Sequence, residues 1–231
     1  MRMNREQFSI AVKDVFAFYE AMGFERLPIP VKPVISRNSA SGARGAALDA
    51  LRSAIGDCRK CKLSQQRTHI VFGEGNANAR LMFIGEAPGR EEDLQARPFV
   101  GEAGTLLTRL IEKMGFTRAD VYIANIVKCR PPMNRDPDPE EIEMCRGFVE
   151  KQIEIIQPKV IMSLGRISSQ TLTGDTKLKI TAVRGRRFDY KGIPMIPTFH
   201  PAYLIRTPKD KWLTWADAQK VLELLGNKEV R

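Results

Sequence analysis

The sequence predicts an α/β fold: a three-layer αβα arrangement around a central, mostly parallel four-stranded sheet, with a short N-terminal helix and linker in front of it. Three observations predict it. Apolar runs of strand length occur at 80–85, 121–127, 159–164 and 193–199. Segments with apolar residues three or four apart lie between them, as parallel strands joined by crossover helices require. Glycine or proline punctuates the junctions, so that strand ends and helix stops can be placed.

The elements follow in chain order. Residues 4–22 carry Phe8, Val12, Val15, Phe16 and Tyr19 on one helical face, and Gly23 closes the helix. Residues 28–45, with three prolines, three serines and two glycines, have linker composition. The chain therefore divides into an extension over 1–45 and a main domain over 46–231. The first strand, 80–85, breaks at Ala87-Pro88-Gly89. A helix over 102–114 groups Leu106, Leu107, Leu110 and Ile111 and stops at Gly115. The second strand, 121–127, is followed by a helix within 137–157, with Ile142, Cys145, Val149, Ile153 and Ile156 in step. The third strand is 159–164. Arg184-Gly185-Arg186 is expected to turn a hairpin ahead of the fourth strand, and the last helix runs over 209–225.

At 231 residues, 43% apolar and 28% charged, the chain is long enough to bury a sizeable core. Its net charge of +10 favours polyanionic partners, nucleic acid first and anionic membrane second. No apolar run approaches the ~20 residues of a membrane span, and the first residues resemble neither a signal nor a transit peptide. A cytoplasmic protein, nucleoid-associated in a bacterium or archaeon, is expected.

The four cysteines are Cys58, Cys61, Cys129 and Cys145. Without a secretion signal, metal binding is the stronger reading and disulfides the weaker. Four thiolates suit tetrahedral zinc or an iron–sulfur cluster alike, and spacing does not choose between them. Either centre would tie the segment before the first strand to the central sheet.

Strand ends hold the candidate site, because ligands of open α/β sheets lie beyond the carboxyl ends of the strands. Gly85-Glu86-Ala87-Pro88-Gly89 follows the first strand, and its glycines let backbone approach a ligand. Phe99 stands in the loop Arg97-Pro98-Phe99-Val100-Gly101, where a ring can serve as a stacking platform. Asn125 interrupts an apolar strand, which is costly unless its amide finds a partner; its paired donor and acceptor match one nucleobase edge. His200 closes the last strand, and Pro201 prevents that strand from continuing.

Gly85-Glu86-Ala87-Pro88-Gly89, Arg97-Pro98-Phe99-Val100-Gly101, Asn125-Ile126-Val127-Lys128-Cys129-Arg130-Pro131-Pro132 and His200-Pro201-Ala202-Tyr203-Leu204-Ile205-Arg206, with the cysteine pattern, closely resemble the family 4 uracil-DNA glycosylases of bacteria and archaea. The resemblance covers about residues 48–225. It implies hydrolysis of the N-glycosidic bond of flipped-out deoxyuridine in DNA, releasing uracil and leaving an abasic site for base-excision repair. It also implies a 4Fe–4S cluster on Cys58, Cys61, Cys129 and Cys145. By the resemblance, Glu86, Ala87, Pro88, Phe99, Asn125 and His200 bind the substrate, and Glu86, Asn125 and His200 act in catalysis. Glu92 is expected to support the first motif's loop.

A monofunctional, monomeric enzyme without membrane contact follows, acting on single- or double-stranded DNA. Leu204, Ile205 and Arg206 are read as a loop pressing on the duplex. Arg130, Lys128, Arg184, Arg186 and Arg187 are candidate phosphate contacts. Two alternatives remain: a non-catalytic, metal-stabilised nucleic-acid-binding protein, and a relative trapped covalently on the sugar through a histidine, for which His69 is the other histidine of the chain.

Overall fold

The structure, a computed structural model, describes residues 39–226. The elements are α1 (Ser39–Ile55), β1 (Glu74–Gly75), β2 (Leu81–Gly85), α2 (Arg90–Gln95), α3 (Glu102–Lys113), β3 (Tyr122–Asn125), α4 (Pro139–Ile156), β4 (Val160–Leu164), α5 (Arg166–Thr173), α6 (Ile180–Val183), β5 (Phe188–Tyr190), β6 (Ile193–Thr198), α7 (Pro201–Arg206) and α8 (Lys211–Leu224). The strands form one sheet in the order β1-β3-β2-β4-β6-β5. Its four inner strands are parallel, as expected, and the short outer strands β1 and β5 run antiparallel to their neighbours.

Period-two alternation divides the inner strands between two cores. Met82, Ile84, Tyr122, Ala124, Ile161 and Met195 face one side, together with residues of α1 and α4. Leu81, Phe83, Ile123, Met162, Leu164 and Ile196 face the other, with α3 and α8. A strand apolar on both faces reads as a continuous hydrophobic run, which is why these four strands are visible in sequence. The three-layer αβα architecture is the one expected.

Local chemistry sets the helix ends. Pro139 occupies the first turn of α4, and the Glu141 carboxylate accepts from the Asp138 N–H at 2.8 Å. Gly174, at φ 75°, ends α5.

Three expectations are corrected. Residues 39–45, read as linker, are helical and open α1, which buries Leu48 and Ile55. The hairpin into β6 turns at Lys191 and Gly192, both at positive φ, and not at Arg184-Gly185-Arg186. Arg184 and Gly185 do turn the chain, Gly185 at φ 71°, but ahead of β5; the glycine also has a packing role, since a Cβ there would lie 2.3 Å from Asp217 Oδ1. Residues 200–206 are mostly helix α7 and not a loop, since Pro201 is tolerated in a first helical turn. The helix expected over 4–22, and residues 28–38 of the expected linker, lie outside the described residues.

The register places the site. Gly85 pairs with Asn125, and Leu164 with Thr198. Glu86, Asn125, Gly165 and His200 therefore emerge together at the carboxyl ends of the four parallel strands. The order of the chain reverses at β2, whose neighbours β3 and β4 lead away in opposite directions, the usual place for a ligand crevice.

Candidate active site and cysteine centre

A cleft of about 650 Å³ opens over these strand ends, and Glu86, Ala87, Pro88, Phe99, Asn125 and His200 all line it. Four separate stretches of sequence thus converge on one cavity.

Asn125 is 2% exposed, and its Oδ1 has no hydrogen-bond partner. Leaving a buried acceptor unpaired costs about 1–3 kcal/mol, so the position is built for something else to satisfy. The amide needs space that only glycine leaves. A Cβ at Gly85 would fall 2.3 Å from Asn125 Oδ1 and 2.5 Å from Phe99 Cζ.

Phe99 is buried and held at φ 52°, a left-handed conformation unusual for a bulky residue. Its surroundings impose that conformation. The Glu92 carboxylate accepts from the N–H groups of Val100 (2.9 Å), Gly101 (3.0 Å) and Gly89 (3.1 Å), tying the first motif to the phenylalanine loop. Arg118 donates to the carbonyls of Pro98 (2.7 Å) and Phe99 (3.1 Å), and it is held in turn by Glu74. Gly104 lets α3 lie against the loop, since a Cβ there would meet the Phe99 carbonyl at 2.0 Å.

The His200 ring lies 5.6 Å from the Phe99 ring, centroid to centroid. Its Nδ1 accepts from the Ala202 N–H at 3.2 Å, which leaves the proton of the neutral imidazole on Nε2. Burial, reinforced by the Arg206 charge, lowers the pKa of His200 to about 4, against a smaller opposing pull from Glu92. The group is accordingly a neutral donor across the physiological range.

Glu86 Oε1 accepts from the Ile167 N–H at 2.9 Å, at the start of α5. Burial raises the pKa of Glu86 to about 6, with Asp136 adding to the shift and the Ile167 bond and Arg166 opposing it. Gly165 stands between the two titratable groups, where a Cβ would lie 2.4 Å from Glu86 Oε1 and 2.9 Å from His200 Cβ.

Sequence reasoning placed Glu92 correctly as a support but missed Arg118, Gly104 and Gly165. Gly165 was findable: it follows the third strand as Gly85 ends the first. Arg118 carried no such signal, because its role depends on a loop remote in sequence.

Several expected roles are corrected. Lys128 is 1% exposed and donates to the Asn125 carbonyl (2.8 Å) and Gln152 Oε1 (2.7 Å), so no phosphate reaches it. Arg184 is engaged by buried Asp217, with Nε at 3.0 Å from Oδ2. Arg186 and Arg187 are exposed, and Arg130 is partly so. Leu204 is 3% exposed and belongs to the core, which removes it from any contact with a duplex. His69 bonds through Nδ1 to the Asp93 carbonyl at 2.8 Å and does not line the cleft.

Cys58, Cys61, Cys129 and Cys145 are unbridged and line a single, mostly apolar second cavity with Ile55, Ile70 and Phe148. Arg67 Nη1 approaches Cys129 Sγ at 3.4 Å, and the Lys128 N–H approaches Cys145 Sγ at 3.2 Å. Donors directed at sulfur suit thiolates that carry charge on a metal centre. Among the described residues no three ligating side chains are gathered closely enough to hold a single metal ion. Four thiols around a shared cavity are a donor set that suits a sulfur-ligated metal group.

The sequence is similar to known proteins over most of its length. Residues 72–223 match the family model described as the uracil DNA glycosylase superfamily. A type-4 uracil-DNA glycosylase of Thermotoga maritima is 48% identical over 164 residues, 71% of this chain and 85% of the relative. One from Archaeoglobus fulgidus is 42% identical over 190 residues, 79% and 96% of the two chains. One from Sulfurisphaera tokodaii is 44% identical over 186 residues, 77% and 84%. The chain belongs to the uracil-DNA glycosylase superfamily, among its type-4 members.

Proposed function

We propose that this protein is a monofunctional uracil-DNA glycosylase of base-excision repair, with Asn125, Phe99, His200 and Glu86 as its working residues. The observation that carries the assignment of residues is the unpartnered Asn125 Oδ1, facing a cleft that also holds an aromatic ring and a neutral imidazole donor.

The bond between base and sugar is inaccessible in a stacked duplex, so the nucleotide enters the cleft extruded, at a cost of a few kcal/mol. Stacking on Phe99 offsets about 1–3 kcal/mol of it. Asn125 Oδ1 accepts from uracil N3–H while its amide N–H donates to O4; cytosine presents the opposite pattern and is refused.

The C1′–N1 bond then breaks, its electron pair leaving with the base. His200 Nε2–H donates to uracil O2 as negative charge collects there, stabilisation of the kind worth about 3 kcal/mol per donor. A water adds to the cationic C1′, and the proton it gives up passes through solvent to the departed uracil anion, leaving an abasic sugar and neutral uracil. Glu86, ionised above about 6, orients that water and offsets the sugar's positive charge. A sugar cation needs only a weak nucleophile, so orientation and charge matter more than proton abstraction. Arginines line the cleft but lysines do not among the described residues, in keeping with hydrolysis without an amine nucleophile.

Cys58, Cys61, Cys129 and Cys145 would hold a 4Fe–4S cluster, a staple between the segment after α1 and the central sheet. We take the enzyme to act as a monomer on uracil-containing DNA. We place the activity in the cytoplasm with the chromosome, because its substrate is DNA.

Incubation with a uracil-containing oligonucleotide tests the reading. Free uracil and an abasic strand that breaks only after alkali are expected. No uracil release, a spontaneously cut strand, or a covalent DNA adduct would each contradict it.

A further inference from the structure

The connection from β3 to α4 leaves the strand that carries Asn125 and runs along the rim of the cleft, where Asn134, Arg135 and Asp136 line it. Next to them stands Met133, 92% exposed, above Trp212 at 67% among the large apolar side chains of the described residues. Met133 and Asn134 both have φ 55°, two consecutive non-glycine residues in the left-handed region. Such backbone persists only where its surroundings enforce it, and it concentrates at functional positions.

The surroundings here are explicit. The N–H groups of Asn134 and Arg135 donate to the carbonyls of Pro131 and Pro132, each at 3.1 Å. Arg130 Nε holds Asn134 Oδ1 at 2.8 Å. Arg135 makes two bonds, 2.7 and 2.9 Å, to the fully buried Glu141. The loop is thus braced from both sides against its intrinsic preference, and the result is an unbranched apolar side chain projecting into water at the edge of the site.

We propose that Met133 is the wedge that enters the base stack of duplex DNA beside the extruded nucleotide, a role that rests on the glycosylase reading above. Apolar side chains, methionine among them, unstack base steps in this way and hold the duplex bent. A thioether chain adapts to flat bases with little demand on shape, and a braced loop presents it with little further ordering to do. The segment after His200 is poorly placed to supply the wedge: Leu204 is buried in the core and Ile205 is half-buried on α7. Exposed Arg206, on the same cleft, is available for a flanking phosphate, whereas Arg166 beside it is held by Asp136 at 2.6 Å.

The test compares Met133→Ala, Met133→Leu and Ile205→Ala in single-turnover uracil release from single-stranded and duplex oligonucleotides. A 2-aminopurine beside the uracil reports unstacking. A single strand needs no wedge, so Met133→Ala should lose about tenfold or more on duplex and stay within about twofold on single strand, with less 2-aminopurine signal. Met133→Leu should restore both readouts. Duplex release by Met133→Ala at the wild-type rate, equal losses on the two substrates, or a duplex-selective loss in Ile205→Ala instead would overturn the wedge alone. Wild-type protein releasing uracil from neither substrate would overturn the glycosylase reading, and the wedge with it.

Discussion

Replacing Gly165 by alanine should damage catalysis without removing any catalytic group. The added Cβ would stand 2.4 Å from Glu86 Oε1 and 2.9 Å from His200 Cβ, where ordinary contact begins near 3.4 Å. The carboxylate must therefore retreat by about 1 Å, and the imidazole is pressed from the same side. A misplacement of about 1 Å in a reacting constellation can cost about 10²-fold in rate. The backbone adds its own penalty, because φ 93° with ψ −178° is a glycine conformation. That strain is worth about 1–3 kcal/mol, or a fall in melting temperature of about 2–12 °C for a domain of this size. Gly174→Ala separates the two effects: it is also at positive φ, 75°, but nothing lies within 4 Å of its added Cβ. It should melt lower by a similar order and release uracil normally. Single-turnover release well below the melting temperature of each variant is the assay. Folded Gly165→Ala working at the wild-type rate would refute the placement of Glu86 and His200 around this glycine.

Other consequences are equally specific. The pH profile of release should fall with unit slope below about 6 as Glu86 takes up its proton, while His200, at about 4, stays neutral and adds no limb above 5. Glu86→Gln should abolish that acid limb, and its survival would remove Glu86 from the chemistry. His200→Ala should lower single-turnover release by about 10²–10³-fold, with duplex binding little changed. Glu92→Ala frees three backbone N–H groups around Phe99, costs about 3 kcal/mol of stability and weakens uracil binding; a melting curve and a product-inhibition series read both. Cys145→Ser should lose visible colour, iron and acid-labile sulfide and fold poorly, whereas a colourless, zinc-loaded wild-type protein would contradict the cluster.

What the sequence made legible follows from how each signal arises. The inner strands are buried on both faces, so Leu81, Met82, Phe83 and Ile84 form a run that no solvent-facing residue interrupts. The site motifs were legible because Gly85, Asn125 and His200 all mark strand ends. The edge strands were not: β1 has two residues and β5 three, too few for any period to show. Lys128 looked like a phosphate ligand because its burial depends on Gln152, a helix away, which sequence spacing cannot reveal. Arg118 is the same case, since its partners Glu74 and the Phe99 loop meet it only in the fold. Gly185 was legible as a turn residue, and it turns the chain at φ 71°, but nothing in the sequence shows that the turn precedes β5 or that Asp217 on α8 also requires the glycine.

The most direct measurement is a crystal structure with free uracil bound. The account predicts the pyrimidine stacked on Phe99, its N3–H on the now satisfied Asn125 Oδ1 and its O2 facing His200 Nε2. Uracil bound elsewhere, or seated in the cleft with Asn125 Oδ1 still unpaired, would contradict it.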